Sequence, residues 1–178
     1  MRSVPTVLVL ACIPLAAPAQ SPQWLHYGGD EGGSHYSALA DINRGNVAQL
    51  APAWQYQTGE LARHPDRKAM ASFHVTPLLL PPAAGESLVF CTPFNRIIAL
   101  DPATGKERWA YDPGLDLGPP GSRFNCRGIA YWEDTQAPAD AACRHRLFMG
   151  TSDLRLVAVD AATGKACDAF GAAGAVDV

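Results

Sequence analysis

Residues 88–106 read L-V-F-C-T-P-F-N-R-I-I-A-L-D-P-A-T-G-K, and residues 147–165 read L-F-M-G-T-S-D-L-R-L-V-A-V-D-A-A-T-G-K. The two stretches align without a gap at an offset of 59, and nine of their nineteen positions are identical. Most of the others exchange one apolar residue for another. A period of this size marks small units that bury their faces only by stacking on one another. Two units are few for a self-sufficient array.

Each unit parses into short strands. In the first, strands are expected at 75–80, 88–91, 96–100 and 107–111, with turns at 92–95 and 101–106. In the second they are expected at 128–132, 146–150, 154–159 and 166–170. Four antiparallel strands at this spacing describe one blade of a β-propeller. The D-x-A-T-G-K turn has a physical basis. Asp101 and Asp160 can accept hydrogen bonds from backbone N–H groups two residues on, and Gly105 and Gly164 supply the positive φ of a tight turn. Trp109 follows the first turn and is expected to pack between neighbouring blades. Asp168 stands at the matching place in the second unit, with Phe170 nearby as a substitute. Ala53-Trp54-Gln55-Tyr56 resembles an outer strand without its own blade, and could complete one whose other strands lie elsewhere.

The chain has 178 residues, 48% of them apolar and 17% charged, which suits a single globular domain rather than a disordered one. Fifteen prolines and sixteen glycines favour short strands and turns over long helices. A net charge of −3 and the lack of any basic run give no electrostatic case for nucleic acid or an anionic membrane. Residues 1–19 read as a signal peptide: Arg2, an apolar run over 4–17, and the small-x-small site Ala17-Pro18-Ala19, with cleavage before Gln20. The apolar run is too short for a stable membrane anchor. A rival reading is lipidation at Cys12. Export leaves Cys91, Cys126, Cys143 and Cys167 in an oxidising compartment, and all three pairings stay open. There is no C-x-x-C-H for covalent haem and no C-x-x-C for zinc.

Strands that run up and down a blade put the loop into the first strand and the loop between the second and third at one end. His74, Arg127, Arg96 and Arg155 are therefore expected at the same end, fed by long loops over 59–73 and 112–125. Function usually sits on such loops.

Residues 24–50 (W-L-H-Y-G-G-D-E-G-G-S-H-Y-S-A-L-A-D-I-N-R-G-N-V-A-Q-L) resemble the opening of pyrroloquinoline-quinone (PQQ) dehydrogenases, most nearly the glucose/quinate/shikimate branch. The likeness continues through Val75-Thr76-Pro77-Leu78, Cys91-Thr92-Pro93-Phe94-Asn95-Arg96, Cys126-Arg127-Gly128-Ile129-Ala130-Tyr131 and 167–171, and so covers essentially all of 23–178. It implies an all-β, eight-bladed propeller, of which residues 20–178 would form about two four-stranded blades, with PQQ beside Ca²⁺ on the axis. It further implies a periplasmic enzyme, soluble or peripheral to the inner membrane, that oxidises a polyol or sugar-type alcohol. Membrane ubiquinone is the implied electron acceptor. In the family a base takes the hydroxyl proton while hydride passes to the quinone, and the metal polarises the quinone carbonyl.

Carried over position by position, Arg127 matches the arginine that holds a PQQ carboxylate, a task suited to a guanidinium fork. Cys126 is expected to line the quinone pocket. It is single, since Asn125 precedes it, so the two-cysteine ring of alcohol-oxidising relatives is not encoded. His74 stands where relatives commonly have a carboxylate; it could hydrogen-bond a PQQ oxygen or merely line the loop. Arg123 stands where sugar-oxidising relatives often carry a histidine, and would suit an anionic substrate such as quinate. Arg96 is a cofactor candidate by position. Its recurrence as Arg155, however, favours a structural role for both.

The family's catalytic aspartate, Ca²⁺ ligands and quinone-contacting lysine have no counterpart in 1–178, so no catalytic or metal-ligating residue is assigned. Asp101 and Asp160 belong to the turns. The expectation is the N-terminal part of a dehydrogenase, its C-terminal portion missing, marginally stable and inactive alone. The A-x-D-x-x-T-G-K repeat also occurs in non-enzymatic periplasmic propeller scaffolds. The motifs W-x-x-Y-G-G-D, V-T-P and C-R-G favour the enzyme.

Overall fold

A computed structural model describes residues 23–178. The expected signal peptide at 1–19 lies outside the described residues. Two four-stranded antiparallel sheets and one short parallel pair make up the fold. The first sheet joins β2 (Leu78–Leu79), β3 (Leu88–Cys91), β4 (Ile97–Leu100) and β5 (Glu107–Tyr111) in sequence order. The second joins β7 (Ala130–Glu133), β8 (His145–Gly150), β9 (Arg155–Asp160) and β10 (Ala175–Asp177) in the same way. The pair is β1 (Ala71–Phe73) beside β6 (Phe124–Cys126). Two up-and-down sheets repeating one strand order are two propeller blades.

Alternation along the strands gives each blade two apolar faces. Val89, Cys91, Ile97 and Ala99 of the first blade are buried against Leu147, Met149, Val157 and Val159 of the second. The opposite face of the first blade carries Phe90, Ile98 and Leu100, covered in part by Trp54, Tyr56 and Val75. Beside Trp54 and Tyr56 this face still opens into a cleft of about 360 Å³, lined also by Phe73, Phe90 and Leu100.

The two D-x-A-T-G-K turns form alike. Asp101 Oδ1 accepts the N–H groups of Ala103 (3.1 Å) and Thr104 (2.8 Å), and Asp160 Oδ1 accepts that of Thr163 (2.9 Å). Gly105 and Gly164 lie at φ +69° and +72°. Each also supports a tryptophan. A Cβ on Gly105 would come within 2.5 Å of the Trp54 ring, and one on Gly164 within 2.5 Å of the Trp109 ring. Trp109 thus packs between the blades, as expected. Trp54 repeats the arrangement one step earlier and donates its Nε1–H to the carbonyl of Pro102 (3.0 Å).

The expected outer strand at 166–170 is corrected. Ala166 bridges Val159 and the Cys167 N–H reaches Ala158 O, but the chain then leaves the sheet and returns only as β10. The Cys143–Cys167 disulfide and the positive-φ glycines Gly171 and Gly174 make that excursion. Phe170, on the excursion, packs edge-on against Phe148 of its own blade (5.4 Å). The expected first strand at 75–80 shortens to β2, because Pro77 has no N–H to give a ladder.

Candidate cofactor-binding end

The long loops 59–73 and 112–125 each end in a short strand, and these two strands, β1 and β6, run parallel. Their register is Ala71–Phe124, Ser72–Asn125 and Phe73–Cys126. His74 and Arg127 therefore follow side by side, one residue beyond the last pair. The Thr76 N–H donates to Arg127 O across the same gap (3.4 Å). Both side chains are exposed, and neither makes a hydrogen bond or ion pair with another described residue. Arg123, on the loop before β6, is also exposed and unpaired among the described residues. Three nitrogen-rich side chains thus face solvent around one short parallel pair.

Cys126 belongs to the interior. Its sulfur is bonded to Cys91 at the end of β3, and it is 6% exposed. Of the three pairings left open by the sequence, the structure takes Cys91–Cys126 and Cys143–Cys167. Any group seated beside Cys126 meets a disulfide linking distant strands, not a thiol. Next to it, Asn125 Oδ1 is buried with no hydrogen-bond partner among the described residues.

Arg96 and Arg155 lie at the same end but are engaged with loops. Arg96 is paired with buried Glu60 (2.9 Å) and donates to Thr58 O (3.3 Å), with Asp112 at 3.9 Å. Arg155 is paired with Asp153 (2.6 Å) and donates to the carbonyls of Pro113 (3.1 Å) and Gly114 (3.4 Å). Each arginine fastens the long loop that leads into its own blade. These contacts give Arg96 and Arg155 the same task of holding a loop, as their matched places in the repeat would lead one to expect. Glu60, Asp112 and Asp153 gave no signal in the sequence beyond their charge.

Burial works against the charge on Asp153, yet its hydrogen bonds from Arg155 and Thr151 hold the carboxyl down at about 2. At Asp101, hydrogen bonds from Arg108 and Thr104 likewise hold it at about 2. Burial and the hydrogen bond to Glu107 push the Tyr56 phenol up to about 12. No group of three or more His, Cys, Asp or Glu side chains able to hold a metal occurs among the described residues.

A cofactor with carboxylates on a flat ring suits this end. A guanidinium fork pairs with a carboxylate through two parallel hydrogen bonds, and the imidazole offers a further donor or acceptor. Comparison with known proteins identifies the family. Residues 24–178 match the family described as "PQQ: Glucose/ethanol/alcohol dehydrogenase, beta-propeller domain". The glycerol dehydrogenase large subunit of Gluconobacter oxydans is 36% identical over 93% of this chain and 22% of its own length. The quinate/shikimate dehydrogenase (quinone) of Acinetobacter baylyi is 33% identical over 95% of this chain and 22% of its own. The quinohemoprotein alcohol dehydrogenase of Comamonas testosteroni superposes with a TM-score of 0.58 at 27% identity, over 83% of this chain and 19% of that one. The chain belongs to the PQQ dehydrogenase β-propeller family. It spans about a fifth of the length of these relatives.

Proposed function

We propose that residues 20–178 are the N-terminal part of an exported, periplasmic PQQ-dependent dehydrogenase that oxidises a polyol, sugar or quinate-type alcohol and passes electrons to membrane ubiquinone. The observation that carries this reading is the free guanidinium of Arg127 beside His74, where two long loops enter the first strands of two blades. PQQ, when bound with Ca²⁺, accepts the hydride. Arg127 would hold a cofactor carboxylate, His74 would hydrogen-bond one of its oxygens, and the buried Cys91–Cys126 disulfide would line the pocket. Asp101 and Asp160 are held within their turns and are not offered as the catalytic base. On this reading residues 20–178 act only as part of a longer dehydrogenase and have no dehydrogenase activity alone.

Arg123 sits on the approach to this end and would pair with a substrate carboxylate. That favours a quinate-type acid over a neutral sugar.

The test is PQQ titration, followed by quinone absorbance with Ca²⁺ present, of the whole dehydrogenase and of its R127A and R123A variants. R127A should weaken PQQ binding by about ten- to a hundredfold, the loss of a charge-assisted hydrogen bond. Unchanged binding would overturn the cofactor role of Arg127. R123A should raise KM for quinate and leave that for a neutral polyol alone. Equal effects on both would remove the anionic-substrate reading.

A further inference from the structure

The segment bearing Arg127 has few ties of its own. β6 is three residues long and pairs only with the equally short β1. Upstream, the exposed loop bends at Gly114, Gly118 and Gly121, all at positive φ. Downstream, residues 127–129 join no strand, and the hydrogen bond from Thr76 to Arg127 O is long (3.4 Å).

Two ties hold this segment to the first blade: Phe124, buried, packs on the Phe94 ring (4.9 Å), and the tie nearest Arg127 is covalent. Cys126, the residue before Arg127, is bonded to Cys91, which is fully buried and paired with Ile97 of β4. The bridge crosses from the second strand of the first blade to the entrance of the second blade. The other disulfide, Cys143–Cys167, lies at the opposite end of its blade, between the β7–β8 loop and the excursion that follows β9. The two bonds therefore form a matched pair, one beside the candidate site and one remote from it.

We propose that the Cys91–Cys126 disulfide is a positioning element for Arg127, holding its backbone so that the guanidinium fork meets a cofactor carboxylate already in place. This rests on the cofactor reading of Arg127 given above. A fork held ready surrenders less freedom on binding than one carried on a loose loop, so breaking the bond lowers affinity without removing any group that touches the cofactor. The neighbouring sheet is held by its own ladder and core, so both blades persist when the bond is broken.

Two readouts test this. Arg127 is an exposed tryptic site. In the full chain, cleavage after Arg127 should be at least tenfold faster in C91A/C126A than in the parent, and unchanged in C143A/C167A. Unchanged cleavage in C91A/C126A would overturn the proposal without reference to any cofactor. In the whole dehydrogenase, the Kd for PQQ should rise about tenfold in C91A/C126A and stay at the parent value in C143A/C167A. Parent-like affinity in C91A/C126A, with weakened binding in R127A, would overturn the positioning role alone. Parent-like affinity in R127A would overturn the cofactor reading instead. Should C91A/C126A not fold, the C143A/C167A protein offers the same test under a small dithiol, with thiol titration to score opening of Cys91–Cys126 and far-UV circular dichroism to show the blades intact. PQQ affinity should fall on reduction and return on reoxidation, and an affinity indifferent to both steps would overturn the proposal.

Discussion

Arginines at one end of this protein stand in two kinds of surroundings. Arg127 and Arg123 face solvent without a described partner, whereas Arg96 and Arg155 hold the loops that feed the two blades. Glu60 is only 3% exposed, so removing Arg96 leaves a buried carboxylate unpaired. R96A should lower stability by about 3–5 kcal/mol, and R96M/E60L, which removes both charges, by much less. Urea unfolding of the two variants checks the order. Asp153 adds a pH dependence. Its folded carboxyl sits at about 2, below the ordinary 3.8. The Arg155–Asp153 pair therefore contributes its full stability above pH 3.8, and this is lost as the pH falls through about 2. D153N should weaken the protein at pH 6 and flatten the acid limb of its urea-midpoint profile. An acid limb identical to the parent's would show that Asp153 does not drive it.

At the scale of single elements, the D-x-A-T-G-K turn joins backbone geometry to blade packing. Gly164 needs its left-handed φ, and its missing Cβ leaves room for Trp109. G164A should cost more than the roughly 1–2 kcal/mol of a left-handed alanine, because the ring must also move. In a double-mutant cycle W109A should relieve part of that excess, while additive losses would mean that turn and ring are independent. The disulfides act on the same scale. Cys143–Cys167 closes a separation of 24 residues and Cys91–Cys126 one of 35, for which loop entropy gives about 3.5 and about 4 kcal/mol respectively. Calorimetry of C91A/C126A and C143A/C167A should thus show similar losses of stability. The split outer strand of the second blade was not legible beforehand. Residues 166–170 stand where the repeat puts an outer strand, although Ala166, Asp168 and Ala169 are poor strand formers, and the covalent tie from Cys143 to Cys167 holds the segment off the sheet.

Seen as a whole molecule, two stacked blades bury one interface and leave two faces. Phe90, Ile98 and Leu100 on one blade, and Phe148 with Phe170 on the other, have no further sheet against them among the described residues. Leu39, Ile42 and Leu50 in the N-terminal segment are each more than half exposed. Unpaired sheet edges and apolar faces of this kind favour association. The purified chain should therefore self-associate in sedimentation velocity as its concentration rises, and a concentration-independent monomer would contradict this.

The sequence by itself determined the blade. Its repeat carried the strands of both blades short of the second blade's outer strand, and the turn chemistry, because each depends on residues close together in the chain. It also marked Arg127 and His74, through motifs that sit where strands begin. Tertiary structure alone decided which cysteines pair, that β1 and β6 run side by side, and that Arg96 is fastened to Glu60 while Arg127 stays free. Those outcomes bring together groups 24 or more positions apart, such as Cys143 with Cys167, Cys91 with Cys126 and Glu60 with Arg96. Local pattern carries no record of such meetings, since they follow from how one blade stacks on the next.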